Sequence, residues 1–316
     1  MANWYQGCGG KVNGVTEDEK RQDLEKLEQD GNWIAEPKYD GIWALAFTGE
    51  ADGETKFLSR NDTFKNSPQL KEQGGLPSGI ALVGELAFGS QESIRRKEVI
   101  GHEFMDVFDI VLYDGADVSK LSRVERRGLL TEMYARYPQL LQWYMLAPQY
   151  ETDFVKHYEH QHEGLILKPR DDGEYRGGKH RNKRWLKAKK CFSNEYVILG
   201  YNTSTAETKV NEPMAENIVV GGYVPKSSVE KELVLDTYTL DSVEMCLIPL
   251  MRVGAMTHDM CRSVAQNYAA WDRKVIEVNH YSLFKSGAAR HPSVATMADG
   301  QPRLREKNPR ECVYRV

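Results

Sequence analysis

The stretch Glu36–Ala46 reads EPKYDGIWALA, and it places a lysine, an aspartate and a glycine among apolar residues typical of β-strands. Two interpretations are open for Lys38 and Asp40: they form the polar entry of a hairpin, or Lys38 is a nucleophile. A free lysine is almost wholly protonated at neutral pH, so it attacks only where burial, nearby cations or a metal ion lower its pKa. The apolar neighbours would supply burial, and Lys187 and Lys189 would supply positive charge.

Length and composition indicate a globular protein with room for two domains. The chain has 316 residues, and none of its apolar runs is long enough to span a bilayer. The N-terminal stretch MANWYQGCGGKVNG lacks the basic start and apolar segment of a secretory signal. The five cysteines are scattered, odd in number and without a CxxC pair. These features favour reduced thiols in a cytoplasm, with no membrane partner, and argue against a zinc ribbon.

Charge is unevenly distributed along the chain. The formal net charge is −4, so the chain as a whole would not be drawn to nucleic acid. Residues 175–190, YRGGKHRNKRWLKAKK, contain eight basic side chains and no acidic residue: Arg176, Lys179, Arg181, Lys183, Arg184, Lys187, Lys189 and Lys190. Such a local patch can bind phosphate groups, although a solvated basic loop has the same composition.

The first half of the chain mixes short strands with few helices. Thr16–Glu19 fits a capping box before a charged helix that Gly31 can end. The predicted strands are IWALAF (42–47), KFLSR (56–60), IALVGELAF (80–88), FMDVFDIVLY (104–113) and EGLILKPR (163–170). We predict further helices over Leu121–Met145, interrupted at Pro138, and over Thr152–Gln161. This order indicates an α+β fold with antiparallel sheets.

The second half contains strand patterns at close spacing with a single helix pattern, His258–Asp272. The predicted strands are EYVILGYN (195–202), NIVVGGYV (217–224), ELVLDTYTL (232–240), EMCLIPLMRVG (244–254) and KVIEVNHYSLF (274–284). Five strands and one helix in this length match a small Greek-key barrel such as the OB-fold. We therefore predict two domains, residues 1–190 and 191–316, with the boundary near Lys190 and Cys191.

Several short motifs follow one another in a specific order. In the first half they are Lys38–Gly41, Phe57–Asn61, Val83–Leu86, Val107–Gly115, Glu163–Lys168 and Trp185–Lys189. In the second half they are RVGAMTHDM (252–260), VIEVNHYSLFKSGAARHP (275–292) and RLREKNP (303–309). Each motif alone is weak evidence. The ordered series, however, resembles that of the ATP-dependent DNA ligases, within the covalent nucleotidyltransferase superfamily. The resemblance runs from about Glu36 to Pro309.

The resemblance implies a minimal two-domain ligase of the kind that phages and some bacteria carry, in the cytoplasm of a bacterial or phage-infected cell. Its nucleotidyltransferase (adenylation) domain would have antiparallel sheets flanked by helices, followed by an OB-fold domain. ATP with Mg²⁺ or Mn²⁺ would charge the lysine with AMP. AMP would move to the 5′-phosphate of a nick in duplex DNA, and the 3′-hydroxyl would displace it. Such a monomer would serve DNA replication, repair and recombination.

The resemblance also assigns roles to single residues. Lys38 would attack the α-phosphorus of ATP. The base would contact Glu36 at its edge and Phe108 at its face. The other implied nucleotide contacts are Arg60 and Glu85 at the sugar and phosphate, Lys187 and Lys189 at the α-phosphate, and Arg303, Arg305 and Lys307 at the pyrophosphate. The implied metal ligands are Glu163, with Asp40 or Glu85 through water, since Mg²⁺ needs only one or two carboxylates beside phosphate and water.

The implied DNA contacts are made to the backbone, without sequence reading, by the basic segment. They are Arg176, Lys179, Arg181, Lys183 and Arg184.

Each assignment has a structural alternative. Phe108 would ordinarily be a core residue, Glu163 could cap a turn, and Lys187 and Lys189 could form the outer face of a half-buried strand. One departure from the family pattern is Trp43, which stands where an arginine is usual. Functional alternatives are an RNA ligase or mRNA-capping guanylyltransferase with the same lysyl-nucleotide chemistry, and a nucleic-acid-binding protein without catalytic activity.

Overall fold

A computed structural model describes residues 5–13, 16–49, 52–65, 67–87, 103–161, 163–177, 180–204, 213–229, 234–284, 286–297 and 299–314. The chain divides into two compact units, Met1–Lys190 and Cys191–Val316. Both units consist mainly of strands with few helices, as the α+β prediction requires. Among the described residues, no helix has the length and apolar character needed to cross a membrane.

The first unit contains two sheets. Its strands are β1 (Gln6–Lys11), β2 (Trp33–Pro37), β3 (Ile42–Thr48), β4 (Thr55–Ser59), β5 (Phe64–Lys65), β6 (Ala81–Ala87), β7 (Phe104–Tyr113), β8 (Ala116–Asp117), β9 (Tyr144–Leu146), β10 (Gly164–Pro169) and β11 (His180–Lys189). One sheet has the order β1-β11-β10-β2, and the other has the order β5-β4-β3-β6-β7-β8 with β9 beside β7. The chain passes from the first sheet to the second through residues 38–41, between β2 and β3.

The pairing is mostly antiparallel, as predicted, with two exceptions in this unit. β1 runs parallel to β11, and β9 runs parallel to β7. Neither β1 nor β9 was predicted. β1, with the sequence QGCGGK, has almost no apolar pattern, so its pairing depends on the neighbouring strand rather than on its own sequence.

The helices of the first unit are α1 (Glu17–Asp30), α2 (Pro68–Gln73), α3 (Arg123–Arg136) and α4 (Phe154–His160). The predicted capping box is confirmed, because Thr16 accepts from the Glu19 amide and the Glu19 side chain accepts from the Thr16 amide. Gly31 ends α1 with a φ of 69°. The helix predicted to continue to Met145 was wrong in its last part. Pro138 opens a 3-10 turn, and the chain then extends into β9.

The layers of the first unit follow from its apolar clusters. α1 and α4 cover the four-stranded sheet through Leu24, Phe154 and Leu165. α3 covers the far face of the seven-stranded sheet, where Leu130 and Met133 join Phe57, Leu82, Met105 and Ile110. Between the two sheets, Trp185 of β11 packs with Leu45, Phe47, Val83 and Val111. The two sheets therefore face each other, and residues 38–41 lie where the chain crosses between them.

The second unit contains the predicted strands and helix. Its strands are β12 (Phe192–Thr203), β13 (Ala215–Pro225), β14 (Asp236–Leu240), β15 (Val243–Val253), β16 (Val275–His280), β17 (Ser282–Leu283), β18 (Ala289–Arg290), β19 (Ser293–Val294) and β20 (Leu304–Arg305). The main sheet has the order β14-β15-β13-β12-β16-β19, with β20 beside β16. Helix α5 (His258–Gln266) is shorter than predicted and packs Met260 and Val264 into the core.

A buried ion pair fastens α3 to the seven-stranded sheet. Arg126 donates from Nε and Nη2 to the two carboxylate oxygens of Asp109, at 2.7 and 3.0 Å. Both side chains are almost fully buried, at 1% and 4% exposure. Arg136, on the same helix, makes a similar pair with Asp114 at 2.8 Å, but both of those side chains are exposed. The two pairs have the same chemistry and differ in burial.

We expect Arg126→Met to lower the free energy of unfolding by about 3–5 kcal/mol, because it leaves the Asp109 carboxylate buried without its partner. Arg136→Met should leave the free energy of unfolding almost unchanged, because water screens the exposed pair. Urea unfolding followed by tryptophan fluorescence measures both variants. Equal losses in the two variants would show that burial does not determine the strength of these pairs.

Candidate active site

A cavity of about 590 Å³ lies between the two sheets of the first unit. It is lined by residues of all four strands of the first sheet and of β3 to β7 of the second, together with Lys38, Tyr39, Gly41 and the turn after β4. Its basic lining residues are Lys38, Arg60, Lys65, Lys168, Arg181, Lys187 and Lys189, and its acidic ones are Glu36 and Glu85. With seven basic and two acidic side chains, the cavity attracts an anionic ligand.

Lys38 is held at the cavity by its backbone and by its side chain. Its amide donates to the Gly164 carbonyl at 2.9 Å, which ties it to the start of β10. Its ammonium pairs with the Glu163 carboxylate and also donates to the Tyr39 carbonyl at 3.3 Å. Glu163 is therefore placed to take up a proton that Lys38 releases.

Two glycines permit the close packing around Lys38. A side chain at Gly41 would place its Cβ 2.3 Å from the Leu86 carbonyl oxygen, because β3 lies against β6 at this point. At Gly164 the φ is 111°, and a Cβ would lie 1.9 Å from the Ala188 carbonyl oxygen. Both positions therefore require glycine, one for space and one also for its backbone conformation.

Glu85 lies beside the motif on β6. Its carboxylate accepts from the Gly41 amide at 3.2 Å. Burial raises the pKa of Glu85 to about 7, with smaller upward contributions from Glu163 and Asp40, against the lowering effect of Lys38. The three predicted metal ligands are thus close enough to influence one another, although Asp40 and Glu163 are not lining residues of the cavity. The donor chemistry suits a hard cation such as Mg²⁺.

These carboxylates do not form a complete metal site by themselves. Among the described residues, no group of three acidic, histidine or cysteine side chains is arranged to hold a metal ion. Mg²⁺ takes one or two carboxylates and completes its coordination with phosphate oxygens and water. The arrangement therefore fits a metal ion that arrives with a phosphate ligand.

Glu36 is the most strongly paired carboxylate of the site, and it is buried. Lys168 donates to one oxygen at 2.6 Å, and Arg123 and Gln149 donate to the other at 2.7 and 2.9 Å. Burial alone would raise the pKa of Glu36, but Lys168 and Arg123 hold it at about 2. These bonds use three of about four acceptor positions of the carboxylate, so one more donor can be accommodated.

Phe108 and Trp185 form an aromatic surface in the cavity. The Lys168 ammonium lies 5.0 Å from the centre of the Phe108 ring and 4.5 Å from that of Trp185. Phe108 is only half-buried, so it is not simply a core residue. Sequence reasoning missed Lys168, Arg123 and Gln149 as partners of this region. Lys168 ends a motif that was recognised, and this was the only signal available for it.

Comparison with known proteins assigns part of this cavity to a family. Residues 85–189, which include Glu85, Phe108, Lys168 and Lys187, match the family model described as the ATP dependent DNA ligase domain. The DNA ligase of vaccinia virus (strain Western Reserve) is 32% identical over 189 residues, which cover 51% of this chain and 32% of the relative. The DNA ligase of monkeypox virus is 29% identical over the same length.

The chain thus spans about a third of the length of these curated relatives. Among solved structures, one described as Pmar-Lig_PreS3 has a TM-score of 0.60 at 15% identity and covers 89% of this chain and 72% of its own. Another is described as "DNA binding with a minimal scaffold: Structure-function analysis of Lig E DNA ligases". It has a TM-score of 0.59 at 15% identity, and the match covers 95% of this chain and 99% of that chain. These similarities confirm the predicted fold class.

The region that matches the family model ends with β11, which carries the two predicted phosphate-binding lysines. Lys187 and Lys189 are half-buried and line the cavity, whereas Ala188 between them is buried in the apolar cluster under α1 and α4. This alternation places both ammonium groups on the cavity side of the strand. β1 runs beside β11 and adds Gln6 and Cys8 to the lining, two residues that sequence reasoning missed.

The basic segment, residues 175–190, is partly neutralised by acidic residues that precede it. Arg176 pairs with Glu174 at 2.8 Å, and Arg184 pairs with Asp171. Arg181, in contrast, lines the cavity. The other two predicted DNA contacts are Lys183, which is exposed on β11, and Lys179, which lies outside the described residues.

The predicted pyrophosphate-binding residues of the second unit have partners within that unit. Lys307 donates to Asp236 at 2.6 Å. Arg305 pairs with Glu195 and, at 3.4 Å, with Glu311, whereas Arg303 is exposed. Their role toward a nucleotide stays a prediction.

The raised pKa of Glu85 predicts a pH-dependent loss of stability. Between about pH 4.5 and pH 7 the unfolded chain releases the Glu85 proton while the folded chain keeps it, so the folded state loses stability as pH rises. Glu85→Gln removes this loss. The variant should match the wild-type protein near pH 4 and exceed it at pH 8 by about 2–3 kcal/mol.

Thermal and urea unfolding from pH 4 to pH 8 measure this difference. Glu25→Gln, at an exposed position on α1, is the matched control and should show no such pH-dependent gain. A difference between Glu85→Gln and wild type that does not change with pH would contradict the raised pKa.

Proposed function

We propose that this chain is an ATP-dependent DNA ligase that seals nicks in duplex DNA through a lysyl-AMP intermediate on Lys38. The observation that carries the proposal is the position of Lys38, which lines a cationic cavity between two sheets, beside Glu163 and together with Lys187 and Lys189 of β11. The family match over residues 85–189 supports the chemistry of an ATP-dependent ligase.

In the first step Lys38 attacks the α-phosphorus of ATP and pyrophosphate leaves. Glu163 is bonded to the ammonium, so it can take the proton that must be lost before the amine attacks. Lys187 and Lys189 neutralise charge on the non-bridging phosphate oxygens. Glu163 and Glu85 would hold Mg²⁺ or Mn²⁺ together with phosphate and water, and the bound metal would supply further charge neutralisation.

The base of the nucleotide fits the other end of the cavity. Phe108 offers a half-buried ring face, and the buried Glu36 carboxylate has one acceptor position left. The amino group at the edge of adenine is a suitable donor for that position. The Lys168 ammonium next to Phe108 would have to shift when a base stacks there.

In the later steps AMP moves from Lys38 to the 5′-phosphate of the nick, and the 3′-hydroxyl attacks that phosphate and releases AMP. Arg60 and Arg181 at the cavity are placed to bind phosphate groups of the DNA or the nucleotide. The protein would act as a monomer in the cytoplasm of a bacterial or phage-infected cell, in DNA replication, repair or recombination.

An RNA ligase or a capping guanylyltransferase would use the same lysine chemistry. The family match favours a DNA ligase that uses ATP. Parallel incubation with α-labelled ATP and GTP separates the candidates, since label from GTP alone would contradict the proposal.

Lys38→Ala should abolish transfer of labelled AMP from ATP to the protein and should abolish sealing, because no other amine replaces the nucleophile. Lys56→Ala is the matched control, because Lys56 lies on β4 outside the cavity and pairs with Asp52 at 2.7 Å. Acid-sensitive label on the protein is measured after denaturing gel electrophoresis. A Lys38→Ala protein that seals nicks at the wild-type rate would overturn the proposal.

Arg181→Ala should weaken binding of nicked DNA and reduce the slope of log K against log salt by about 0.9, the value of one phosphate contact. Arg184→Ala, three residues away on the same strand, should have a smaller effect, because Asp171 already neutralises it. Fluorescence anisotropy over a salt series, in a Lys38→Ala background that prevents turnover, measures both. Equal losses would contradict the distinction between the two arginines.

A further inference from the structure

Trp43 and Tyr5 also line the cavity, and neither has a role in the proposed mechanism. Trp43 follows the motif glycine by two residues on β3 and is half-buried. Tyr5, just before β1, meets it edge to face, with ring centres 5.2 Å apart and planes at 85°. This geometry is favourable for an aromatic pair and holds the indole in one orientation.

This aromatic pair is separate from the surface assigned to the adenine base. Phe108 lies on β7 and Trp43 on β3, and β6 lies between these two strands. Two strand spacings amount to about 10 Å, so one base stacked on Phe108 cannot also stack on Trp43. The cavity therefore offers two aromatic surfaces for two different rings.

Trp43 lies close to the residues that the proposed function places around the reacting phosphate. It is directly opposite Glu85 in the β3–β6 register, and the Glu85 carboxylate accepts from the Gly41 amide. Lys38 is one of the charges that act on Glu85, so the nucleophile is close to this point. A ring that reaches Trp43 must therefore belong to a group attached near the reacting phosphate.

The second substrate supplies such a group. When AMP is transferred, the 5′-phosphate of the nick must approach the phosphorus on Lys38, and its own nucleoside enters with it. Aromatic side chains bind bases by stacking without sequence preference, because every base has a π-face.

We propose that Trp43, oriented by Tyr5, stacks on the base of the nucleotide that carries the 5′-phosphate at the nick. This inference rests on the proposed ligase function and adds a binding residue for the second substrate. The loss of one such stacking contact corresponds to a reduction of about tenfold or more in rate at low DNA concentration.

The test compares a normal nick with one whose 5′-phosphate nucleotide lacks its base. Protein charged with AMP beforehand is mixed with each DNA at a concentration below saturation, and transfer of AMP to DNA is followed in a single turnover. Trp43→Ala should slow transfer about tenfold on the normal nick and have little effect on the base-free nick. Trp43→Phe should retain most of the wild-type rate, because a ring remains.

The wild-type protein provides a check that needs no substitution, since it should be slower on the base-free nick by about the factor that Trp43→Ala loses on the normal one. Trp33→Ala is the matched control. Trp33 lies at the start of β2, outside the cavity lining, with its indole bonded to Asp30 at 3.0 Å, and this variant should not distinguish the two DNAs. Charging of Lys38 by ATP should be unchanged in the Trp43 variants.

Equal slowing of Trp43→Ala on both DNAs would overturn the proposal and make Trp43 a packing residue. A parallel loss of Lys38 charging would overturn it too, and would place Trp43 at the mononucleotide. Wild-type protein that forms no lysyl-AMP would instead contradict the proposed ligase function, and this inference with it.

Discussion

The buried carboxylate of Glu36 is the interaction on which the site depends. It joins β2 to β10 through Lys168 and to α3 through Arg123, at 2.6 and 2.7 Å. A buried charge is tolerated only when its partners are in place. The folded position of Glu36, near the end of β2, therefore requires that β2, β10 and α3 pack together. Lys38 follows two residues later, and its position is therefore fixed by a network in which its own side chain takes no part.

Close backbone packing fixes the other side of Lys38. Gly41 lies against the Leu86 carbonyl, and the Lys38 amide is bonded to Gly164 at the start of β10. The chain thus crosses from one sheet to the other over four residues that are held at both ends. The consequence is that the backbone of Lys38, the proposed nucleophile, is held on both sides while its side chain lines a cavity between the sheets.

The cavity has more basic than acidic lining residues, but two of its lysines are paired with carboxylates. Basic residues dominate the lining, yet the two most important cations have carboxylate partners, Lys38 with Glu163 and Lys168 with Glu36. Two arginines of the basic segment are likewise paired with acids that precede it. These pairs reduce the nonspecific binding of phosphate groups. An incoming anionic ligand must compete with the carboxylates for these lysine and arginine side chains.

The sequence by itself determined the order of many strands, the capped helix α1, the α+β class and some of the residues that line the cavity, because strand periodicity, capping and local motifs depend on neighbours along the chain. It did not reveal β1, whose pairing depends on β11, or the strand β9 beyond Pro138. It also did not reveal that Glu163 pairs with Lys38, or that Arg123, Gln149 and Lys168 converge on Glu36. Those contacts join residues up to 132 positions apart, and only the packing of two sheets and a helix decided them.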